Sequence, residues 1–226
     1  MMLISVWPLL TACALSGGKG GQAGNVAVQP SAPVIAAPQS GTAITPSSPA
    51  LAPVVVPVEA QQKFDKALAL LKAGQTAPAT QQLQQLVDAY PTFTGPLVNL
   101  GLIELKANRY EPAAALFKRA LERDPHSAAA NNHLGVCYRY LGRFKEAESA
   151  YRAALVTDDS NAVAHLNLGV LYDLYLQEPT LALPEYERYQ SLQTTPDAKV
   201  AGWIKEISAR LNADKRTKAA ATGASP

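Results

Sequence analysis

The fold is decided by the stretch NNHLGVCYRYLGRFKEAESAYRAAL, residues 131–155, because several of its residues recur along the chain at a fixed step. Gly135 has a glycine one step before it and another one step after it, which gives a period of 34, and an alanine stands one further step upstream. Self-similarity at such a period is the mark of a repeat architecture and takes precedence over the interpretation of single helices. The series at this step are Ala67, Gly101, Gly135 and Gly169; Ala79, Ala113 and Ala147; Leu83, Phe117 and Tyr151; Leu86, Ala120 and Ala154; and Pro91 and Pro125.

Each series has a structural explanation. Small residues allow two helix axes to approach closely, so we expect the glycine of a first helix to face the alanine of a second one. The aromatic residue is expected to fill the space between neighbouring hairpins. Proline ends the second helix because it has no amide proton to donate. These residues are therefore predicted to be core and helix-end residues without a functional role.

The same residues resemble the tetratricopeptide repeat. The match rests on Leu100-Gly101, Leu134-Gly135 and Leu168-Gly169 and on the closing Asp124-Pro125. Later in each of these repeats come an alanine and then an aromatic residue. It covers about residues 60 to 196. The resemblance implies an all-α solenoid of about four helical hairpins, which we place at residues 59–196.

Two repeats depart from the pattern. Asp159 replaces the closing proline of the third repeat and is expected to act as a turn or capping residue. The fourth repeat is one residue longer between Gly169 and Ala182 and contains Pro179 and Pro184. Its second helix is therefore expected to begin late or to bend.

The region after the last repeat is predicted to form a capping helix. In KVAGWIKEISARL, residues 199–211, apolar residues fall on one face at helical spacing. We predict a capping helix at 197–212, because a terminal repeat exposes an apolar face that needs a cover. Residues 213–226 are polar and are predicted to be a disordered tail.

The first twelve residues, MMLISVWPLLTA, are apolar and are followed by Cys13. This run is too short to span a bilayer and has the size of a signal-peptide core, so residues 1–12 are predicted to be a signal peptide. Leu10-Thr11-Ala12-Cys13 resembles the lipobox of bacterial lipoproteins, which implies lipidation of Cys13. A basic region ahead of the apolar run is missing, since the first basic residue is Lys19, and an inert cysteine in an apolar N-terminus is the alternative.

Residues 13–58 contain a lipidation site followed by a linker rich in proline, glycine and alanine. Such a composition cannot build a core, so we predict a disordered arm that tethers the repeats to a membrane. Docking of Val54-Val55-Val56 as a strand or extended clasp is the alternative for its last part.

The composition excludes several function classes. A net charge of +2 spread along the chain does not indicate nucleic-acid binding. Two cysteines are too few for a disulfide framework or a cysteine-rich zinc module. The sequence contains no HExxH motif, nucleophile elbow, phosphate loop or dinucleotide fingerprint. A metal held by His133 and His165 lacks a third ligand. Cys137 is expected to be a packed thiol. We predict no enzyme activity, no cofactor and no small-molecule substrate.

The concave face of the solenoid is the place to expect binding. An asparagine amide both donates and accepts hydrogen bonds, so a row of asparagines on the first helices can hold a peptide backbone, and the row resembles the asparagine ladders of peptide-binding tetratricopeptide proteins. Stabilisation of a seam between helices is the alternative for the asparagines. Arginine and tyrosine are typical anchors at interfaces. The predicted groove residues are Asn99, Lys106, Asn132, His133, Arg139, Tyr140, Asn167 and Asp173.

Together these features predict a non-catalytic adaptor of the bacterial envelope. It would bind an extended segment of another envelope protein in its groove and be attached to a membrane through Cys13. It would face the periplasm, with the outer membrane favoured over the inner one. The alternative is a structural subunit of an envelope assembly that self-associates through its convex face or capping helix.

Overall fold

The computed structural model describes residues 56–221, and this range forms nine α-helices and one π-helical turn. The predictions for the signal peptide, for Cys13 and for all but the last residues of the linker lie outside the described residues, as does the end of the tail. The elements are α1 (Val58–Lys72), α2 (Thr76–Ala89), α3 (Gly95–Lys106), α4 (Tyr110–Arg123), α5 (Ala128–Tyr140), α6 (Phe144–Thr157), α7 (Ala162–Val170), the π-turn (Leu171–Tyr175), α8 (Pro179–Ser191) and α9 (Ala198–Ala221).

Consecutive helices pair into four hairpins, α1 with α2, α3 with α4, α5 with α6, and α7 with α8. Each second helix also contacts the helix that follows it, so the second, third and fourth hairpins are packed on both sides. One hydrophobic core runs from Ala60 to Ile207 through the whole stack. The predicted all-α solenoid of four hairpins is confirmed.

The repeating glycines face the aromatic rings that we expected to lie between neighbouring hairpins. A Cβ built on Gly135 would lie 2.6 Å from two carbons of the Tyr151 ring, and Gly101 and Gly169 stand in the same relation to Phe117 and Tyr186. The ring therefore packs inside its own hairpin, directly over the backbone of the first helix. The first repeat has Ala67 at the glycine position and the smaller Leu83 at the ring position, both fully buried.

The turn inside each hairpin is built in the same way. A residue with positive φ follows each first helix: Gly74, Asn108, Gly142 and Gln177. The first three follow one another at the repeat period, whereas Gln177 comes one position late. The hydrogen bond that closes the turn shows the same delay. In the third repeat, the backbone amide of Arg143 donates to the carbonyl of Tyr138. The equivalent carbonyl in the fourth repeat, that of Tyr172, accepts from Glu178, which is one residue later than the repeat period gives.

The π-turn absorbs the extra residue of the fourth repeat. A π-helical turn contains one residue more than the α-helical path it replaces, which is how an insertion is accommodated without breaking a helix. Leu174 lies within it and is 54% exposed, while Leu171 and Tyr172 before it are buried in register with the core. The second helix of this repeat begins at Pro179, one residue later than α6 would predict, in agreement with a late start.

The turn between the third and fourth repeats uses aspartates in place of proline. Asp158 accepts a hydrogen bond from the amide of Ser160 at 3.0 Å. Asp159, which stands at the proline position, forms an ion pair with Arg188 of α8 at 2.6 Å. Asp159 is thus a turn residue that also contacts the helix opposite.

The last helix covers the fourth repeat, as expected of a capping helix. Val200 and Ile207 of α9 are buried, and the ring of Trp203 lies 5.3 Å from that of Tyr186. The helix continues to Ala221, beyond the predicted end at residue 212 and into the region where we expected a disordered tail. Residues 212–221 contain neither glycine nor proline and consist largely of alanine, lysine and other helix-compatible residues, so their intrinsic propensity favours continuation of the helix.

Within residues 56–221, no helix combines the length and the apolar character needed to cross a bilayer.

Candidate functional site

The predicted groove residues belong to the first helices of the hairpins. Helices α3, α5 and α7 contact one another directly, in addition to the contacts they make with second helices. This close approach on one side gives the stack an inner surface, which we call the first-helix face and which consists of α3, α5, α7 and the π-turn. All eight predicted groove residues lie on these elements.

The three asparagines among the predicted groove residues are buried, with exposed fractions of 5% or less. Asn167 donates from Nδ2 to Oδ1 of Asn132 at 3.0 Å, which joins α7 to α5. Asn99 instead donates to the carbonyl of Gly95 in its own helix at 3.0 Å. The structure therefore brings Asn132 and Asn167 together in a seam between two helices and places Asn99 apart from them. Oδ1 of Asn167 is buried and has no hydrogen-bond partner among the described residues.

His133 and Lys106 have different environments. The imidazole of His133 stacks against Phe117 with a centroid distance of 5.5 Å, and burial lowers its pKa to about 4. His133 is therefore neutral at neutral pH. Lys106 lies exposed in the last turn of α3, where its charge is directed to solvent.

Arg139 lies inside the stack near the end of α5 and is only 3% exposed. Its Nη1 donates to the hydroxyl of Tyr175 at 3.0 Å, and its Nε approaches the hydroxyl of Tyr151 at 3.5 Å. Its guanidinium carbon lies 4.7 Å from the ring centroid of Tyr140 and 5.4 Å from that of Tyr175. The guanidinium is thus surrounded by three tyrosines that come from three different elements.

The surface above Arg139 is aromatic. The rings of Tyr110 and Tyr140 are stacked, with centroids 4.5 Å apart and planes 2° apart, and Tyr175 contacts Phe144 at 5.2 Å. Tyr140 and Tyr175 are 39% and 38% exposed, which is high for large apolar residues of this chain. We call Tyr110, Tyr140 and Tyr175 the tyrosine patch.

Only Tyr140 of the tyrosine patch was among the predicted groove residues. Tyr110 and Phe144 are separated by one repeat period and each begins a second helix, so this aromatic pair is itself a periodic signal in the sequence. Tyr175 takes the place next to Phe144 that Tyr140 takes next to Tyr110, but it does so only because the π-turn shifts the register by one residue.

Asp173 is occupied by the capping helix. Its carboxylate pairs with Arg210 of α9 at 3.2 Å. The pKa of Tyr186 is raised, chiefly by burial and further by a hydrogen bond and the negative charge of Asp173. At this end of the first-helix face, the chain's own last helix provides the counter-charge.

Other titratable groups have structural partners. Nδ1 of His165 lies 2.7 Å from a carboxylate oxygen of Glu185, and its Nε2 lies 3.0 Å from the carbonyl of Asp159. His165 does not meet His133, and no group of three metal-ligating side chains occurs among residues 56–221. Cys137 is fully buried, and burial raises the pKa of its thiol to about 12, so it is a packed thiol.

Comparison with known proteins agrees with the architecture. One tetratricopeptide-repeat model matches residues 98–162 and 138–199, and a second matches residues 63–92. No curated protein sequence matches the chain significantly. Among solved structures, MamA (residues 41 to the end) from Desulfovibrio magneticus RS-1 is similar, with a TM-score of 0.60, 17% identity, and coverage of 75% of this chain and 95% of that one.

A tetratricopeptide-repeat protein from Thermus thermophilus, TTC0263, is also similar, with a TM-score of 0.55 and 21% identity over 67% of this chain and 82% of that one. At these identities the likeness shows the fold alone, whereas the two repeat models together cover more than half of the chain. The chain therefore belongs to the tetratricopeptide-repeat family, whose stacked hairpins act as modules for protein–protein interaction.

Proposed function

We propose that this protein is a non-catalytic adaptor of the bacterial envelope that holds an extended segment of a partner protein along its first-helix face. The tyrosine patch anchors that segment. The observation that carries the proposal is the contact of two partly exposed tyrosine rings, Tyr140 and Tyr175, with the buried Arg139 guanidinium, at 4.7 and 5.4 Å from their centroids.

Tyrosine and arginine are the residue types in which interface binding energy concentrates. The ring of Tyr140 is also held in place before binding, because it stacks on Tyr110. A pre-arranged side chain loses little conformational entropy when a partner docks, and so more of the contact energy appears as affinity. A rigid aromatic surface of this kind favours a binding role over a purely structural one.

The test is capture of partners from an envelope extract, followed by crosslinking and mass spectrometry. The double variant Tyr140→Ala/Tyr175→Ala should lose the captured partner while its thermal unfolding stays cooperative. Alanine at the asparagines is less suitable, because these side chains are buried and their removal changes packing. The matched control is Leu181→Ala, since Leu181 is 43% exposed on α8, a second helix that no proposed binding surface includes. Capture that is unchanged in the tyrosine variant would refute the groove proposal.

The envelope location rests on the sequence. The apolar run of residues 1–12 followed by Cys13 supports a lipid anchor, and residues 14–55 contain a single charged residue, Lys19, as suits a tether. Several acyl chains on one cysteine would anchor the chain stably, because each buried methylene contributes about 0.8 kcal/mol. Mass spectrometry of the N-terminal peptide should find a lipidated Cys13. An unmodified Met1 on the mature protein would contradict the anchor.

Self-association is the second candidate function, and a different surface supports it. Val156 and Val163 flank the turn between α6 and α7 and are 88% and 50% exposed. If copies of the chain associate there, light scattering should give a mass that rises with concentration and falls in a Val156→Glu/Val163→Glu variant. A mass that stays monomeric at all concentrations would exclude it.

A further inference from the structure

We infer that Arg139 receives the carboxylate of a glutamate or aspartate side chain in the partner segment. This inference rests on the proposed function, because it names the chemistry that the segment presents at the tyrosine patch. It also gives Arg139 and the surrounding tyrosines different roles in binding. The rings provide contact area, and the guanidinium provides charge.

Arg139 carries a buried charge that the chain does not neutralise. All 18 acidic residues of the chain lie within residues 56–221, and none of them forms an ion pair with Arg139. A charge taken out of water is strongly unfavourable unless an opposite charge or a full set of hydrogen bonds accompanies it. The tyrosine hydroxyls are dipoles and leave the net charge in place.

The hydrogen-bonding capacity of the guanidinium is also incomplete. Arginine offers five N–H donors in a planar fork. Here Nε and Nη1 are directed to the hydroxyls of Tyr151 and Tyr175, while Nη2 is buried and has no hydrogen-bond partner among the described residues. A carboxylate fits such a fork, because its two oxygens accept parallel hydrogen bonds from neighbouring nitrogens.

In the next repeat, the charged residue at the equivalent position has a counter-charge within the chain. Asp173 stands one period after Arg139, and both contact the aromatic residue of their own second helix, Tyr186 and Tyr151 respectively. Asp173 has its counter-charge in Arg210 of α9. No element between residues 56 and 221 has the corresponding role for Arg139, so a bound segment takes the place that α9 takes for Asp173.

The printed sequence leaves no further acidic side chain for Arg139. Residues 1–55 and 222–226 contain neither aspartate nor glutamate, so the parts of the chain outside the described range have no acidic side chain to offer. The segment reaches Nη2 past Tyr175, which is 38% exposed and is tilted against Phe144 rather than stacked on it. Rotation of a partly exposed side chain takes nanoseconds or less, so this ring can turn aside as the carboxylate enters while Tyr140 stays stacked on Tyr110.

The test is an NMR titration of the full chain, labelled with ¹⁵N at arginine, using capped single residues as probes. N-acetyl-glutamate N-methylamide should shift the Arg139 Nε–Hε signal saturably, and N-acetyl-glutamine N-methylamide should bind about tenfold or more weakly, because a hydrogen bond to a charged acceptor is stronger than one to a neutral amide. The signal is assigned from its absence in Arg139→Gln. Equal responses to the two probes would overturn the inference.

Two variants distinguish binding from support of the fold. Arg139→Gln should lose the preference for the glutamate probe over the glutamine probe. If this variant unfolds, the two probes are compared in Arg139→Lys, which keeps the charge, and binding is followed through backbone signals. Tyr175→Phe should keep the preference, because it removes a competing acceptor and no charge. Loss of the preference in Tyr175→Phe alone would show that the hydroxyl is the receptor and would refute the role of Arg139.

A third probe identifies the source of the carboxylate. N-acetylglycine carries only a terminal carboxylate, and binding of this probe in place of the glutamate probe would overturn the assignment to a side chain. Failure of the proposed function has a different signature, because partner capture would then be unchanged in Tyr140→Ala/Tyr175→Ala whatever the probes show.

Discussion

The ring of Tyr151 lies directly over Gly135, so close that a Cβ on this glycine would come within 2.6 Å of ring atoms Cδ1 and Cε1. Both residues are in the core, and the ring is fully buried. This contact fixes the distance between α5 and α6, and its equivalents recur in the neighbouring hairpins. The helix pairs of the solenoid are therefore set by glycine and aromatic residue together.

The first prediction concerns this contact. Gly135→Ala should lower the free energy of unfolding by about 1–2 kcal/mol, because overpacking in a tight core costs about 1–3 kcal/mol and the gain in helix propensity offsets up to about 1 kcal/mol of it. Gly202→Ala is the matched control, since Gly202 is also helical but has open space around its missing Cβ. It should be neutral or stabilising in urea unfolding. Equal losses in both variants would contradict the packing explanation.

The second prediction concerns the asparagine seam. Asn132→Ala removes the acceptor for Nδ2 of Asn167 and leaves that buried amide without either partner, so unfolding free energy should fall by about 1–3 kcal/mol. Asn132→Ala/Asn167→Ala should lose less than the sum of the single variants, because no orphaned amide remains. A double-mutant cycle by chemical denaturation measures this difference. Strict additivity would show that the two side chains are not coupled.

The third prediction concerns the π-turn. Deletion of Leu174 should convert the turn to regular α-helix and restore the regular repeat spacing, because Leu174 is the exposed residue between Tyr172, which is in register, and Tyr175, which packs on Phe144. Circular dichroism should show unchanged helix content and a stability within about 1 kcal/mol of the parent, as for a surface change. Deletion of Val136 in α5 is the control, since it shifts buried residues out of register. If the Leu174 deletion unfolds as readily as the control, Leu174 is not the inserted residue.

The fourth prediction concerns pH. Burial lowers the pKa of His133 to about 4 in the folded chain, below the value of about 6.5 in an unfolded one. The unfolded state then binds more protons between these values, so stability falls as the pH decreases from about 6.5 to 4. Between pH 7 and 4.5 this residue should account for about 2 kcal/mol, and His133→Gln should remove that part. Urea midpoints at both pH values measure it. The same loss in parent and variant would exclude His133 as the cause.

The sequence predicted the scaffold well because its signals are local and repeated. A glycine that recurs once in every repeat period reports a close contact that each hairpin must make, and several copies of one pattern are hard to misinterpret. The length anomaly between Gly169 and Ala182 likewise predicted a delayed second helix. Which residue the glycine faces was not predictable from spacing, because an alanine and an aromatic residue both lie on the adjoining face of the second helix.

The site was predicted less completely. Arg139 and Tyr140 were found because their position in the repeat places them on the first-helix face. Tyr175 was missed because a one-residue insertion moves it into the patch, and neither period nor composition shows where a helix absorbs an insertion. The burial of the asparagines was left open by the sequence, since a residue between two helices and a residue in an open groove occupy the same position in the repeat.

The sequence by itself determined the period, the fold and the helices, because helix formation and hairpin pairing depend on residues near one another along the chain. Only the tertiary structure decided which charges are balanced. Asp173 meets Arg210 from a later helix, the capping helix, whereas Arg139 meets tyrosine hydroxyls and no carboxylate. Such pairings depend on distances between separate elements, which the stacking of the hairpins sets and no local pattern encodes.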